Sequence, residues 1–105
     1  MPDDIKDLQR IADVDQLVHH PTRLAILIFL LPRPRVTFPE VIEALDLTSG
    51  NLSSHMKKLE ASQLIIVEKK FVDARPTTLL SLTSIGKQAI QNYAHLLRDV
   101  LDQVD

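Results

Sequence analysis

The sequence of 105 residues has no cysteine and no tryptophan, only two glycines, and only four aromatic residues. The lack of cysteine excludes disulfides, thiolate metal sites and a cysteine nucleophile. With so few aromatic residues, the core must be aliphatic. A hydrophobic content of 45% and a charged content of 25% are typical of a folded globular protein. The length suits a single domain, which we place at residues 1–105.

No apolar run is long enough to cross a membrane. The longest, from Leu24 to Leu31, has eight residues, whereas a membrane-spanning helix needs about 20. The chain begins Met1-Pro2-Asp3-Asp4, which is acidic, whereas a secretory signal begins with basic residues. These features favour a cytoplasmic protein without a membrane partner.

The hydrophobic spacing predicts a mainly α protein of the α+β class. The predicted helices are residues 4–18, 21–31, 39–46, 49–61 and 83–103, and the predicted extended segments are 35–38, 64–70 and 77–82. Two helices joined by a tight turn (39–61) and followed by a β-hairpin (64–82) define a winged helix-turn-helix. We expect a two-stranded wing, with the N- and C-terminal helices available for dimerisation.

The predicted helix 49–61 has two contrasting sides. Leu52, Met56 and Leu59 recur at helical spacing and face the core. The opposite side, from Gly50 to Lys58, has small, hydrogen-bonding and cationic residues and no acid. Small groups allow close approach to base edges in the major groove, and lysines reach phosphates. The predicted DNA-binding residues, including two in the wing, are Ser49, Gly50, Asn51, Ser53, Ser54, His55, Lys57, Lys58, Lys70 and Arg75.

Each of these features has a simpler interpretation. A polar helix face is also what any surface helix presents to solvent. Lys69, Lys70 and Arg75 in the hairpin could serve only to discourage pairing of its edge with other strands. The tight turn before the helix and the hairpin after it favour DNA binding over a merely solvated face.

Three segments resemble small ArsR/MarR-like winged-helix regulators, over about residues 19–95. His20-Pro21-Thr22-Arg23-Leu24-Ala25-Ile26-Leu27 resembles their opening helix, and Gly50-Asn51-Leu52-Ser53-Ser54-His55-Met56-Lys57-Lys58-Leu59-Glu60 resembles their recognition helix. Arg75-Pro76-Thr77-Thr78 and Leu82-Thr83-Ser84-Ile85-Gly86-Lys87 are similar to their wing and the start of their final helix. The resemblance implies a dimeric DNA-binding transcriptional regulator that uses Asn51, Ser53, Ser54, Lys57, Lys58, Lys70 and Arg75. Metal-sensing ArsR proteins carry a cysteine motif that is absent here.

The four histidines show no pair at metal-binding helical spacing. His19, His20, His55 and His95 are therefore expected at helix boundaries or in packing, although His55 could touch a phosphate or a base. We expect no metal and no cofactor. There is also no nucleophile–base arrangement and no glycine-rich phosphate loop, so we do not expect an enzyme.

The terminal helices carry more apolar residues than the winged core needs. In the last helix these residues follow steps of three and four, as in a coiled-coil seam. The predicted dimerisation residues are Ile5, Leu8, Ile90, Tyr93, Leu97, Val100, Leu101 and Val104. The alternative is that the two terminal helices cover each other within one chain. A competing function is a winged-helix protein-interaction module that does not bind DNA. An effector, if one exists, has no identifying residue; it would bind between the dimer helices and the winged core.

The formal net charge of −2 is unevenly distributed. Residues 1–20 carry −3, residues 21–82 carry +2 and residues 83–105 carry −1. The acidic residues therefore lie mainly in the predicted dimerisation ends, whereas the winged core is positive. This distribution predicts that the ends point away from DNA and that binding depends on two subunits.

Overall fold

The computed structural model describes Gln9 and residues 18–104. The described helices are α1 (Pro21–Leu30), α2 (Phe38–Leu45), α3 (Ser49–Ala61) and α4 (Ser84–Leu101), and the strands are β1 (Val36–Thr37), β2 (Ile65–Val72) and β3 (Arg75–Leu82). The order of elements predicted for this part of the chain is confirmed. The predicted helix 4–18, with Ile5 and Leu8, lies outside the described residues apart from Gln9.

The sheet has three antiparallel strands in the order β1-β3-β2. The short segment that the sequence marked as extended pairs with β3, with Val36 opposite Leu80. The predicted two-stranded wing is therefore joined at its base by a third strand. Beyond that base, β2 and β3 continue alone as the hairpin.

The tip of the wing is shorter than the sequence suggested. Residues 71–76 were expected to form a polar tip, but β2 runs to Val72 and β3 begins at Arg75. Only Asp73 and Ala74 remain in the turn, and both adopt left-handed backbone angles (φ 52° and 64°). Two consecutive positive φ angles suit a two-residue turn of type I′, whose twist matches that of paired strands. The strands can therefore stay paired up to the turn.

A side chain caps the N-terminus of each of the four fully described helices. His20 Nδ1 accepts a hydrogen bond from the backbone N–H of Thr22 (3.2 Å), and three threonines do the same for the other helices. The threonine caps are Thr37, Thr48 and Thr83. Each cap satisfies a backbone donor that has no partner within its helix. The caps therefore fix where each helix begins.

Left-handed residues end α2 and α3 without any glycine. Asp46 (φ 53°) follows α2 and Gln63 (φ 63°) lies just beyond α3. After these residues, the N–H of Leu47 donates to the carbonyl of Ile42, and the N–H of Leu64 donates to that of Leu59. These bonds satisfy terminal carbonyls and turn the chain back toward the core. The first of them creates the tight connection between α2 and α3.

The core is aliphatic, as predicted. Its fully buried large side chains come from α1, α2, α3 and β3; they are Ile26, Leu27, Leu30, Val41, Leu52, Leu59 and Leu80. Three of the seven belong to α1, so the helix with the longest apolar run is the central one. Arg23, also on α1, is the buried charged residue of the described chain.

The start of α4 packs directly on the root of the wing. The Thr83 hydroxyl donates to the carbonyls of Gln63 (2.7 Å) and Leu64 (3.0 Å). Gly86 lies so close to this segment that a Cβ atom there would be 2.2 Å from the carbonyl oxygen of Leu64. Glycine is therefore needed for its lack of a side chain, since its φ is not in the left-handed region.

The predicted seam along α4 is divided between buried and exposed residues. Ile90 and Tyr93 are 6% and 7% exposed and belong to the core of the single chain, and Leu97 packs against that core. Val100 is also buried, whereas Leu101 (59%) and Val104 (70%) are exposed. Ile90 and Tyr93 therefore offer little surface to a second chain. The reason is that one helix face serves the core over its first three turns.

Candidate nucleic-acid interface

The residues predicted on α3 occupy three different environments. Ser49, Gly50, Asn51, Ser54, Lys57 and Lys58 are exposed. Ser53 is half-buried and lies on the side of the helix that faces the wing. His55 is half-buried on the other side, against the start of α1. The outward face of α3 is thus narrower than the predicted set, with polar residues first and lysines later.

The first turn of α3 is open to the solvent. A Cβ atom added at Gly50 would have no atom within 4 Å. Thr48 Oγ1 accepts the N–H of Asn51 (3.1 Å), which leaves the side chain of Asn51 exposed at the surface. Helix N-termini also favour anions, because their free N–H groups and the helix dipole point outward. This end of α3 is suited to approach a base edge or a phosphate.

The strand register divides the wing into two faces. Lys69 pairs with Thr78 and Phe71 pairs with Pro76, so these residues continue the face that begins with buried Ile65 and Leu80. Because side chains alternate along a strand, Lys70 and Glu68 lie on the opposite face. We call the face of Ile65, Val67, Lys69 and Phe71 the inner face of the wing.

An open cleft of about 700 Å³ separates α3 from the wing. Its lining includes three cations, namely Lys57 of α3 and Lys69 and Arg75 of the wing. Glu60, near the end of α3, also lines it. The remaining lining residues are Thr37, Phe38, Pro39, Ser53, Met56, Val67, Pro76, Thr77 and Thr78. The cleft therefore combines an apolar base with cationic and hydroxyl groups at its sides.

Glu60 corrects one expectation about α3. The outer side of the helix was expected to be free of acid, and from Ser49 to Lys58 it is. One turn later, Glu60 is exposed and shares the cleft with Lys57. On a helix, residues three apart are neighbours, so this carboxylate reduces the positive potential that Lys57 creates there.

The structure distinguishes the two adjacent lysines of the wing. Lys70, the predicted DNA contact, forms an ion pair on the outer face, with Nζ 2.9 Å from Oε2 of Glu68. The hydrogen bond from Lys70, and then its charge, lower the pKa of the Glu68 carboxyl. Lys69, which the predicted set omitted, lines the cleft instead. Its spacing from the β-branched residues Ile65 and Val67 is the signal that could have identified it.

His55 lies at the junction of α1 and α3 rather than on the outward face. Its ring is 5.0 Å from that of His20, measured between centroids. Its Nδ1 atom is buried and has no hydrogen-bond partner among the residues that the structure describes. Burial, and then the charges of His20, Arg23 and Lys58, lower the pKa of His55. The geometry assigns this ring to packing between helices.

The other histidines also connect elements. His20 caps α1, which agrees with the expected helix-boundary role. His19 and Tyr93 share a hydrogen bond and an edge-to-face ring contact, with centroids 5.5 Å apart, which ties the start of α1 to α4. Within residues 18–104 and Gln9, no three histidines or carboxylates come together as a potential metal site. None of the described helices is long and apolar enough to span a membrane.

Taken together, a capped outward-facing helix, the tight turn before it and a three-stranded sheet ending in a hairpin define a winged helix-turn-helix protein. Comparisons with known proteins agree. The family of winged helix DNA-binding domains matches residues 22–101. An uncharacterized protein of Methanocaldococcus jannaschii is 34% identical over 73 residues, which cover 70% of this chain and 79% of that protein.

Solved structures give the same result. A transcriptional regulator homologue from Pyrococcus horikoshii OT3 superposes with a TM-score of 0.89 at 36% identity, covering 95% of this chain and 98% of that one. The structure of MarR superposes with a TM-score of 0.71 at 18% identity, covering 95% of this chain and 80% of that one, and shows a shared fold. This chain belongs to the winged helix DNA-binding domain family. The resemblance seen in the sequence is thereby confirmed.

Proposed function

We propose that this protein is a homodimeric transcriptional regulator that binds double-stranded DNA sequence-specifically. The observation that carries the proposal is that Lys57 of α3 and Lys69 of the wing line the same cleft. Two separate elements thus present their cations to one path, which suits a phosphate backbone. The name of the relative from Pyrococcus horikoshii, a transcriptional regulator homologue, supports the same role.

In this proposal α3 enters the major groove, which is about 12 Å wide and admits one helix. Asn51 and Ser54 are exposed near its N-terminus, and they offer hydrogen-bond donors and acceptors to base edges. Gly50 allows the backbone to approach closely. Lys58, further along the exposed face, is placed for a phosphate.

The sugar-phosphate backbone would then pass through the cleft between α3 and the wing. Lys57, Lys69 and Arg75 would neutralise its phosphates, while the wing would continue into the adjacent minor groove. Ser53, Thr77 and Thr78 supply hydroxyl groups along the same path. Phosphate contacts of this kind fix the register of a protein on DNA, and base contacts provide the specificity.

We also propose that the chain dimerises through the end of α4 and the N-terminal segment. Leu101 and Val104 expose apolar surface at this end, and the predicted contacts Ile5 and Leu8 belong to the same proposal. A two-fold dimer would place its two α3 helices about 34–36 Å apart, one turn of DNA. Such a dimer doubles the phosphate contacts, which offsets the modest positive charge of one winged core.

The first experiment is selection of bound sites from random duplex DNA. We expect enrichment of sequences with two-fold symmetry. Salt titration on a recovered duplex then tests the role of α3. Replacing both Lys57 and Lys58 by alanine should lower the slope of log affinity against log salt by about 2, because each phosphate contact contributes about 0.9. Lys87→Ala, at an exposed position on α4, is the matched control. Unchanged binding by the double variant would refute the assignment of α3.

A protein-interaction module without DNA binding is the second candidate. The exposed Leu101 and Val104 are the observation that favours it. Mass measurement in solution separates the two functions. A monomer that forms a one-to-one complex with another protein through residues 83–105, and recovers no duplex from the selection, would support the second candidate over the first.

A further inference from the structure

Phe71 is an aromatic side chain that the fold leaves in the solvent. It is 78% exposed, more than any other large hydrophobic residue in the described part of the chain. The protein has only four aromatic residues, and Tyr93, by contrast, is buried in the core. A single exposed apolar residue needs no special explanation. The position of Phe71 is what gives it significance.

Phe71 is the outermost residue of the inner face of the wing. It follows Val67 and Lys69 on alternate positions of β2, and both of those residues line the cleft beside α3. It pairs with Pro76, which also lines the cleft. The ring therefore lies on the DNA side of the wing, one step beyond the proposed path of the phosphate backbone.

The wing holds this ring on a short and well-defined support. Val72 pairs with Arg75, so only two residues form the turn that follows Phe71. Strand pairing extends without interruption from Ile65 to Val72. A ring on a paired strand loses less conformational freedom on binding than a ring on an open loop, so binding costs less.

The charges around Phe71 favour a nucleic acid as its partner. Lys69 and Arg75 lie within four residues of it, and the ion pair with Lys70 compensates the nearby Glu68. Asp73, in the turn, is the other acid close by in sequence. An exposed ring among cations fits a surface that combines phosphates with stacked bases, and DNA is such a surface.

We propose that Phe71 enters the minor groove at the wing and packs against a base step, which it partly unstacks. This inference rests on the proposed function. Apolar side chains commonly act in this way in minor-groove binding, and pyrimidine–purine steps are the easiest to deform. Phe71 is then a specificity-determining residue that reads deformability. In the two-fold dimer, the favoured steps lie symmetrically outside the contacts of the two α3 helices.

Fluorescence tests the position of the ring directly, because the protein contains no tryptophan. Phe71→Trp places a single indole at the proposed contact. Its emission should be strongly quenched when a duplex recovered by the selection is added, since stacking on bases quenches indole fluorescence. Val72→Trp is the matched control, because Val72 is the next residue, is exposed, and lies on the opposite face of the strand. Its emission should change little.

Affinity and site preference provide the second readout. Phe71→Ala should weaken binding about tenfold, as expected for loss of one base–aromatic contact. The salt slope should stay as in the parent, because no charge is removed. Selection with Phe71→Ala should lose any preference for pyrimidine–purine steps at the wing positions.

The outcomes separate this inference from the proposed function. If the parent binds no duplex, both are overturned. If the parent binds with a steep salt slope, but the indole at position 71 is not quenched and Phe71→Ala binds within twofold of the parent, the inference alone is overturned. In that case the ring would belong to a contact with another protein, and the role of α3 would stand.

Discussion

The imidazole rings of His20 and His55 lie 5.0 Å apart between centroids, tilted by 55°, where the start of α1 meets α3. His20 uses Nδ1 to cap α1, while Nδ1 of His55 is buried without a hydrogen-bond partner among the described residues. Arg23 and Lys58 add positive charge around the second ring. The contact joins the proposed recognition helix to the central helix of the core, so its protonation state bears on stability.

Acidification should destabilise the fold through His55. Burial, followed by the neighbouring positive charges, lowers its pKa in the folded protein from 6.5. As the pH falls through about 6.5, the unfolded chain takes up a proton that the folded chain resists, so the free energy of unfolding decreases. Above this pH both states are neutral at His55, and the contribution is constant. Urea unfolding at about pH 7.5 and about pH 5.5 measures the difference.

His55→Asn should reduce this loss of stability on acidification. His95→Asn, at an exposed position on α4, controls for the removal of an imidazole. If His55→Asn and the parent lose the same free energy between the two pH values, His55 is not the group responsible.

Glu60→Gln should strengthen DNA binding. Glu60 lines the cleft through which the phosphate backbone is proposed to pass, together with Lys57. Removing its negative charge should raise the affinity about threefold at low salt, and less at high salt because of screening. Glu43→Gln is the control, since Glu43 is exposed on α2 and does not line the cleft. Equal affinities for the two variants, measured by fluorescence anisotropy, would place the backbone elsewhere.

Gly86→Ala should destabilise the protein by about 2 kcal/mol, as overpacking of a tight contact commonly does. The new methyl group would lie 2.2 Å from the backbone oxygen of Leu64, which cannot move without shifting β2. The other glycine provides the control. Gly50→Ala adds a methyl group in open space within a helix, and should be neutral or stabilising by up to about 1 kcal/mol. Urea unfolding followed by circular dichroism compares them, and equal stabilities would contradict the packing described.

Ala74→Gly should stabilise the wing. Ala74 has a φ of 64°, and the left-handed region costs about 1 kcal/mol for a residue with a Cβ atom. Part of the gain is offset because glycine makes the unfolded chain more flexible, so we expect about 0.5 kcal/mol. Ala44→Gly, within α2, should instead destabilise by about 1 kcal/mol. A loss of stability in both variants would show that the turn is not strained.

Much of the described fold was predictable from local pattern. Leu52, Met56 and Leu59 recur at helical spacing, and Thr48 and Thr83 were among the expected caps. These features depend on residues a few positions apart, so the sequence contains them directly. The extent of the wing was not predictable, because two left-handed residues without glycine form its turn.

The candidate site was predictable only in outline. The sequence identified α3 and its exposed lysines, but included His55, which packs against His20, and omitted Lys69 and Phe71. Whether a residue on the edge of a helix faces solvent or a neighbour depends on which helix lies beside it. The same limit applied to Ile90 and Tyr93, whose spacing suits a dimer seam although the single chain buries them.

By itself, the sequence determined the order of the described elements, the aliphatic core and the absence of any cysteine chemistry. Hydrophobic period and capping residues are local properties, and they are sufficient for these conclusions. The tertiary structure decided which cations share a cleft. Lys69 and Lys70 are adjacent and chemically identical, yet only Lys69 faces α3, because packing of Ile65 and Val67 on the core fixes which side of β2 is the inner face. That choice requires contacts between residues distant in sequence.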